Sequence, residues 1–303
     1  MTLTSHLKLK NSPVRIFLHD RFPNTKIIIN EIRAVGNAAT TIRPETKVPW
    51  SLLGTAIDFR ICGYFAPITF HGFPPLQEVW GDEDFMVFFM ETIQQIESRA
   101  AELYSAGPSL KRIDEESLCR FCVVLAMFDH EFRSGMMPLE VSLLNPKFTT
   151  TEEFLSVIPQ EWVDDLYQMS LVFRNTSVDL LSRPVVLNPH FEGSIDVGGA
   201  DADLIIDSCL LEIKAAISFK VSRPEWIYQL LGYSFLDYSN SYTINTVGFY
   251  LARQGVYIRW SLEEIMEKLA GKEVPPLAEL RLEFKSVISG AGLGVDRSIL
   301  YRY

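Results

Sequence analysis

Apolar residues recur every three to four positions through three stretches of the first half of the chain. The stretches are 50–60, 82–106 and 115–133. This spacing brings the apolar side chains to one face of a helix, so all three stretches are predicted to be helical. A run of threonines and glutamates just before Phe154 is typical of a helix start, because a threonine hydroxyl can cap the first turn.

A different pattern occurs nearer the N-terminus. Val14, Ile16 and Leu18 alternate with polar neighbours, and a run of isoleucines follows a Phe-Pro-Asn turn. Alternation with a period of two is typical of a strand with one buried face. Residues 13–34 are therefore predicted to form short strands.

From Phe191 onward the pattern reads as a hairpin, a helix, two strands and a helix over 262–269. This order predicts an α/β fold, in which a mixed central sheet is flanked by helices. We expect residues 151–303 to form this core, with 191–260 as its clearest part. Residues 1–150 are expected to add a region of strands and helices packed against it.

The segment around Asp207-Ser208 carries the most informative charge pattern. Two apolar runs meet at these turn-forming residues, which predicts a hairpin. In that register Asp203 faces Glu212 and Asp201 faces Lys214, and all four side chains project from one surface. The opposite surface is predicted to be core. It consists of Ala202, Leu204, Ile206, Cys209, Leu211, Ile213 and Ala215.

Two carboxylates placed directly across a strand pair repel each other unless a cation lies between them. Carboxylate oxygens suit Mg²⁺ or Mn²⁺, which also accept phosphate oxygens as ligands. Asp203 and Glu212 are therefore candidate metal ligands, and Lys214 is placed to orient an attacking water or to neutralise charge. The alternative is a surface hairpin in which the aspartates pair with Lys214, an arrangement that contributes little.

A helix is expected next, because Ser222-Arg-Pro-Glu225 has capping-box spacing. This helix carries Gln229 and Tyr233, which lie four residues apart and therefore share one face. Asp203, then Glu212-x-Lys214, then Gln229-x-x-x-Tyr233 resembles the RecB-like branch of the PD-(D/E)xK nuclease superfamily. The resemblance covers about residues 191–260.

The resemblance implies a restriction-endonuclease-like core and a Mg²⁺-dependent nuclease that hydrolyses phosphodiester bonds. Asp203 and Glu212 would hold the metal, Lys214 would position the water, and Gln229 with Tyr233 would complete the catalytic site. RecB-like enzymes often add a histidine from a Gly-Thr-x-x-His helix. The corresponding position here is Asp58, in Gly54-Thr55-Ala56-Ile57-Asp58, which makes Asp58 a candidate third ligand.

Composition limits how such a protein would hold its substrate. The 303 residues carry a net charge of −10, which argues against nucleic-acid binding by bulk charge. Residues 1–43 nevertheless hold seven Lys or Arg and two Asp or Glu, a candidate basic contact strip. Arg60, Arg133 and Arg253 are further candidates for contacting phosphates.

Few cysteines and no long apolar segment indicate a cytoplasmic protein without a membrane partner. Cys119 and Cys122 lie in an apolar helical stretch and are predicted to be buried thiols rather than metal ligands. Family resemblance favours DNA as the substrate, in defence against foreign DNA or in repair. An RNA-cleaving effector and a binding or scaffold protein without catalysis stay open, as does a requirement for a second copy or a partner subunit.

Overall fold

The computed structural model describes residues 1–70, 83–107, 110–134, 150–219 and 223–292, with side chains omitted at 83–86 and 131–134. The described helices, in chain order, are α1 (Leu3–Lys8), α2 (Pro13–Arg21), α3 (Thr25–Ala38), α4 (Trp50–Cys62), α5 (Glu83–Ser105), α6 (Arg112–Ser134), α7 (Thr151–Ser156), α8 (Gln160–Thr176), α9 (Pro224–Leu236), α10 (Leu262–Ala270) and α11 (Leu277–Gly290). The strands are β1 (Val185–Leu187), β2 (Leu204–Ile206), β3 (Cys209–Lys214), β4 (Thr246–Leu251) and β5 (Val256–Ser261). Short 3₁₀ turns cover Val178–Leu180 and Glu192–Val197.

The chain divides into two compact units, and one of them is discontinuous in sequence. The first unit combines Met1–Thr41 with the chain from Ser182 onward, and the second is Ile42–Leu181. The sequence placed its boundary at residue 150 instead. The division differs because α1, α2 and α3 pack on α9, α10 and α11 of the C-terminal region, which makes the N-terminal helices part of that unit's core.

The first unit is an α/β structure built on a mixed sheet of five strands in the order β1-β2-β3-β4-β5. Neighbouring strands are antiparallel except β3 and β4, which are parallel and are joined through α9. A parallel pair needs a crossover of this kind, because the chain must return to the same end of the sheet. The predicted helix over 262–269 is confirmed as α10, which begins at the Ser261 cap.

The predicted strands over residues 13–34 are wrong, because this segment forms α2 and α3. Val14 and Leu18 lie four residues apart on the buried face of α2, whereas Ile16 between them is 45% exposed. In α3, Ile28, Ile29 and Ile32 are buried at helical spacing. Apolar residues four apart fit both periods over so short a window, and packing of α2 and α3 on the C-terminal helices selects the helix.

The second unit is helical over the residues that the structure describes, from α4 to α8. All three helices predicted in this region are confirmed. Thr150 caps α7 by accepting a hydrogen bond from the main-chain N–H of Glu153, as its sequence indicated. Cys119 and Cys122 are fully buried, as predicted, and burial raises the pKa of the Cys122 thiol to about 12.

Among the described residues, no helix combines the length and apolar character that crossing a bilayer requires.

Helix α11 was not expected from the sequence. Its buried residues Leu280, Phe284 and Ile288 recur every four positions, which is the spacing of one helix face.

Candidate active site

The β2–β3 hairpin has the register that the sequence predicted. Leu204 pairs with Leu211 and Ile206 pairs with Cys209, around a turn formed by Asp207 and Ser208. Asp207 adopts a left-handed φ of 55°, which Asp and Asn tolerate better than most residues. This turn fixes which residues of β3 stand beside which residues of the preceding strand.

Asp203 and Glu212 meet just beyond the last pair of the β2–β3 ladder. The main-chain N–H of Ile213 donates to Oδ2 of Asp203 at 2.6 Å, and the N–H of Asp203 lies 3.4 Å from Oε1 of Glu212. The two carboxylates are therefore held side by side by main-chain groups of each other's strand. The predicted juxtaposition is confirmed.

Glu212 is unusually deep for an acidic residue, with 1% of its side chain exposed. Burial, followed by the negative charge of Asp203, raises the pKa of Glu212 to about 7, although Lys214 acts in the opposite direction. A carboxyl whose pKa is raised by desolvation and a like charge is a typical feature of a functional site.

Lys214, Gln229 and Tyr233 extend the acidic pair into one hydrogen-bonded network. Nζ of Lys214 donates to Oε2 of Glu212 at 2.7 Å and to Oε1 of Gln229 at 3.3 Å. Nε2 of Gln229 donates to the Tyr233 hydroxyl at 2.9 Å. The structure thus brings together all five residues that the sequence proposed for catalysis, from β2–β3 and from one face of α9.

The Tyr233 hydroxyl extends the hydrogen-bonded network to Asp201. It donates to the main-chain oxygen of Asp201 at 2.7 Å, and its ring stacks on Phe191 at 5.4 Å between centroids. Burial raises the pKa of Tyr233 well above its usual value, and the charges of Glu212, Asp203 and Asp201 add to this shift. Three carboxylates therefore lie near one phenol.

Asp201 and His190 form a pair that the sequence did not predict. Nδ1 of His190 lies 3.1 Å from Oδ1 of Asp201, and both side chains are exposed. The two residues are also joined by an antiparallel bridge that continues the β1–β2 register. This second strand register aligns residues 185–190 with 201–206. It is the feature that would have predicted the pair.

The face that carries the acids is not an open polar surface. Leu210 and Ile205, on the same side of their strands as Glu212 and Asp203, belong to the core beneath α9, and the opposite side is buried as well. The expectation of one core face and one charged face is therefore wrong, because α9 covers the sheet. Asp203, Lys214 and Gln229 are part-buried, with 16% of the Lys214 side chain exposed, so these are the side chains of the network that are nearest the surface.

The donor set of Asp203 and Glu212 fits a hard divalent cation. Mg²⁺ is commonly bound by one or two carboxylates, with waters and substrate oxygens completing its ligands. Burial and then the negative charge of Asp203 raise the pKa of Glu212, and a bound cation would offset that charge. No group of three or more His, Cys, Asp or Glu that could hold a metal occurs among the described residues.

Asp58, the candidate third ligand, lies on α4 in the second unit, whereas Asp203 and Glu212 belong to the first. Its role as a ligand stays a prediction.

Two of the arginines proposed as phosphate contacts are buried inside the protein. Arg60 is 1% exposed and makes a two-pronged ion pair with Glu115 inside the second unit. Arg253 is equally buried and donates to the main-chain oxygen of Ala215 at 2.9 Å. Both predictions are wrong, because the guanidinium groups are used within the protein. The side chain of Arg133 lies outside the described residues.

Comparison of the chain with protein-family models, with curated protein sequences and with solved structures found no match. The arrangement of the site and its chemistry therefore carry the functional argument.

Proposed function

We propose that this chain is a Mg²⁺- or Mn²⁺-dependent nuclease with a restriction-endonuclease-like core and a RecB-like PD-(D/E)xK site. The observation that carries the proposal is the convergence of Asp203, Glu212 and Lys214 at the end of one hairpin. Gln229 and Tyr233 of α9 join these three in a single hydrogen-bonded network. The β3–α9–β4 crossover and the mixed sheet support the same assignment.

Each side chain has a distinct task in the proposed hydrolysis. Asp203 and Glu212 would hold the divalent cation, which when bound supplies charge stabilisation at the phosphate and activates water. Lys214 would orient the attacking water and offset negative charge that develops on the phosphate. Gln229 restrains Lys214 through its 3.3 Å hydrogen bond, and Tyr233 restrains Gln229 in turn. The site would therefore be preorganised by α9.

DNA is the proposed substrate, and the superfamily resemblance is the reason for this choice. The basic composition of residues 1–43 adds positive charge to a chain that is acidic as a whole, although Arg15 and Arg21 are ion-paired with Glu225 and Glu283. The same chemistry would serve an RNA-cleaving effector. A panel of single-stranded and double-stranded DNA and RNA, each tested at matched ionic strength, separates these substrates.

The test combines ion binding with cleavage. We expect wild-type protein to bind Mg²⁺ or Mn²⁺ in calorimetry and to cleave a polynucleotide only when the ion is present. Asp203→Asn and Glu212→Gln should lose ion binding and cleavage together. Lys214→Gln should lose cleavage while retaining ion binding. Metal-dependent cleavage that survives Glu212→Gln and Lys214→Gln unchanged would refute the proposal.

A second candidate is a binding or scaffold protein that keeps this fold without catalysis. The observation that favours it is the 1% exposure of Glu212, together with the N–H donors that already face both of its oxygens. Calorimetry distinguishes the two. A network that serves only packing predicts no measurable binding of Mg²⁺ or Mn²⁺, and Glu212→Gln would then change no interaction with a polynucleotide.

A further inference from the structure

The proposed hydrolysis leaves one chemical requirement unassigned. When a phosphodiester is cleaved, the departing alkoxide is a strong base and needs a proton. Asp203, Glu212 and Lys214 are engaged with the ion and the attacking water. A proton donor on the leaving side must come from another group near the same face.

We propose that His190 is this donor, with Asp201 as the residue that positions it. This inference rests on the proposed nuclease function. Histidine is the side chain most often used for proton transfer near neutral pH. A carboxylate beside one ring nitrogen stabilises the doubly protonated imidazolium, which carries a second proton to donate on the other nitrogen.

The geometry around Asp201 supports this assignment. Asp201 lies two residues before Asp203, and the intervening Ala202 is buried while both aspartates reach the outer part of the site. Two residues of fully extended chain span at most about 7 Å, roughly one phosphodiester unit. The Asp201 carboxylate also lies near enough to Tyr233 to act on the same phenol as Glu212 and Asp203.

His190 is fixed beside Asp201 by more than its side chain. The bridge to Asp201 holds its backbone in register, and its main-chain oxygen accepts a hydrogen bond from the Tyr242 hydroxyl at 2.9 Å. Its Nδ1 is held at 3.1 Å from the Asp201 carboxylate, while the ring is exposed. Nε2 lies on the other side of the ring from this contact, and we assign to it the contact with substrate.

The proton balance of the step is complete without a further reactant. The oxygen of water forms a bond to phosphorus, and the bond from phosphorus to the bridging oxygen breaks. The electron pair of that bond stays on the leaving oxygen, which takes the Nε2 proton of the His190 imidazolium and leaves a neutral ring with its proton on Nδ1. The water gives up one proton to solvent beside Lys214, and His190 regains a proton from solvent before the next turnover.

The experiment uses oligonucleotides in which the bridging oxygen is replaced by sulfur, at the 3′ or the 5′ side, because a thiolate departs without protonation. Wild type, His190→Gln and Asp201→Asn are compared with the same metal on oxygen-bridged and sulfur-bridged substrates. General acid catalysis contributes about 10²- to 10⁴-fold. We therefore expect His190→Gln to lose at least about 100-fold on the oxygen substrate and less than about threefold on one sulfur substrate.

Asp201→Asn should also lose more cleavage on the oxygen substrate than on the sulfur substrate, with a smaller loss than His190→Gln, because the imidazole itself is still present. The main-chain oxygen that accepts from Tyr233 stays in place. His19→Gln is the matched control, since His19 is also an exposed imidazole of this unit, hydrogen-bonded to Tyr228 at 3.3 Å. It should cleave both substrates as wild type does. Calorimetric Mn²⁺ binding should be unchanged in every one of these variants.

Three other outcomes count against the proposal, and they differ in what else they overturn. An equal loss on oxygen and sulfur substrates removes the acid role while leaving the nuclease in place. Full activity of His190→Gln on the oxygen substrate does the same. A wild-type protein that binds no metal and cleaves neither substrate removes the proposed function itself, and this inference with it.

Discussion

Glu115 in the second unit and Glu212 in the first are both fully buried glutamates, but their surroundings differ in charge. Glu115 receives two hydrogen bonds from Arg60, at 2.7 and 2.8 Å, and further bonds from Tyr64 and Ser170. Burial opposes its ionisation, yet the Arg60 guanidinium and these hydroxyls hold the pKa of Glu115 below its usual range.

Glu212 has one lysine as its partner and a second carboxylate as its neighbour. Burial and the charge of Asp203 outweigh Lys214, so its pKa rises to about 7. Burial alone therefore does not identify a functional carboxyl group. A charge-balanced buried glutamate serves stability, whereas one facing a like charge is suited to binding a cation.

The largest expected effect is on stability. Glu115→Gln leaves the buried guanidinium of Arg60 without its counter-charge and should lower the free energy of unfolding by about 3–5 kcal/mol. Glu212→Gln removes a repulsion and should cause no such loss. Urea unfolding of both variants with a chelator present measures the difference. Equal destabilisation of the two variants would show that the two glutamates do not differ in charge balance.

The pH dependence should have opposite sign at the two sites. The folded pKa of Glu212, about 7, lies above its usual 4.5, so wild type should lose stability relative to Glu212→Gln as pH rises from about 4.5 to 7. The loss is at most about 3 kcal/mol. Added Mn²⁺ should reduce it.

Glu115 has a lowered pKa, so its contribution is present above about pH 4.5 and disappears as pH falls through the folded pKa. The stability gap between wild type and Glu115→Gln should therefore close in acid. Chemical denaturation at a series of pH values checks both slopes. Parallel curves for the two glutamates would contradict the assignment.

Two tyrosines allow a matched test of smaller size. The Tyr64 hydroxyl bonds Glu115 at 3.1 Å, and the Tyr233 hydroxyl bonds the network of Glu212. Tyr64→Phe should cost about 1 kcal/mol of stability and leave cleavage and metal binding unchanged. Tyr233→Phe should reduce cleavage, measured as kcat on a polynucleotide, at a similar cost in stability. Loss of cleavage in both would show that the two networks are not separate in function.

The last test concerns the turn that aligns Asp203 with Glu212. Asp207→Ala forces a non-glycine, non-Asx residue into the left-handed region and should cost about 1 kcal/mol. Asp207→Gly should cost less, because glycine accepts this φ freely. Thermal unfolding gives the ranking, and Mn²⁺ affinity should follow it. Identical affinities in a clearly destabilised Asp207→Ala would show that the turn does not control the site.

The local geometry of the site follows from residues that are close together in the chain. The turn at Asp207-Ser208 and its flanking apolar runs fix the register that opposes Asp203 and Glu212. Helical spacing fixes Gln229 and Tyr233 on one face. These relations depend on neighbours close in the chain, where strand alternation and helix periodicity leave little freedom.

Other features of the protein depend on contacts between distant segments. Residues 13–34 became helices because packing on α9, α10 and α11 resolved a period that a short window leaves ambiguous. The coverage by α9 set the depth of Glu212, and Glu115 reached Arg60 across 55 residues. The pairing of His190 with Asp201 required a second strand register. Such long-range contacts depend on how whole elements pack, and local periodicity carries no information about that packing.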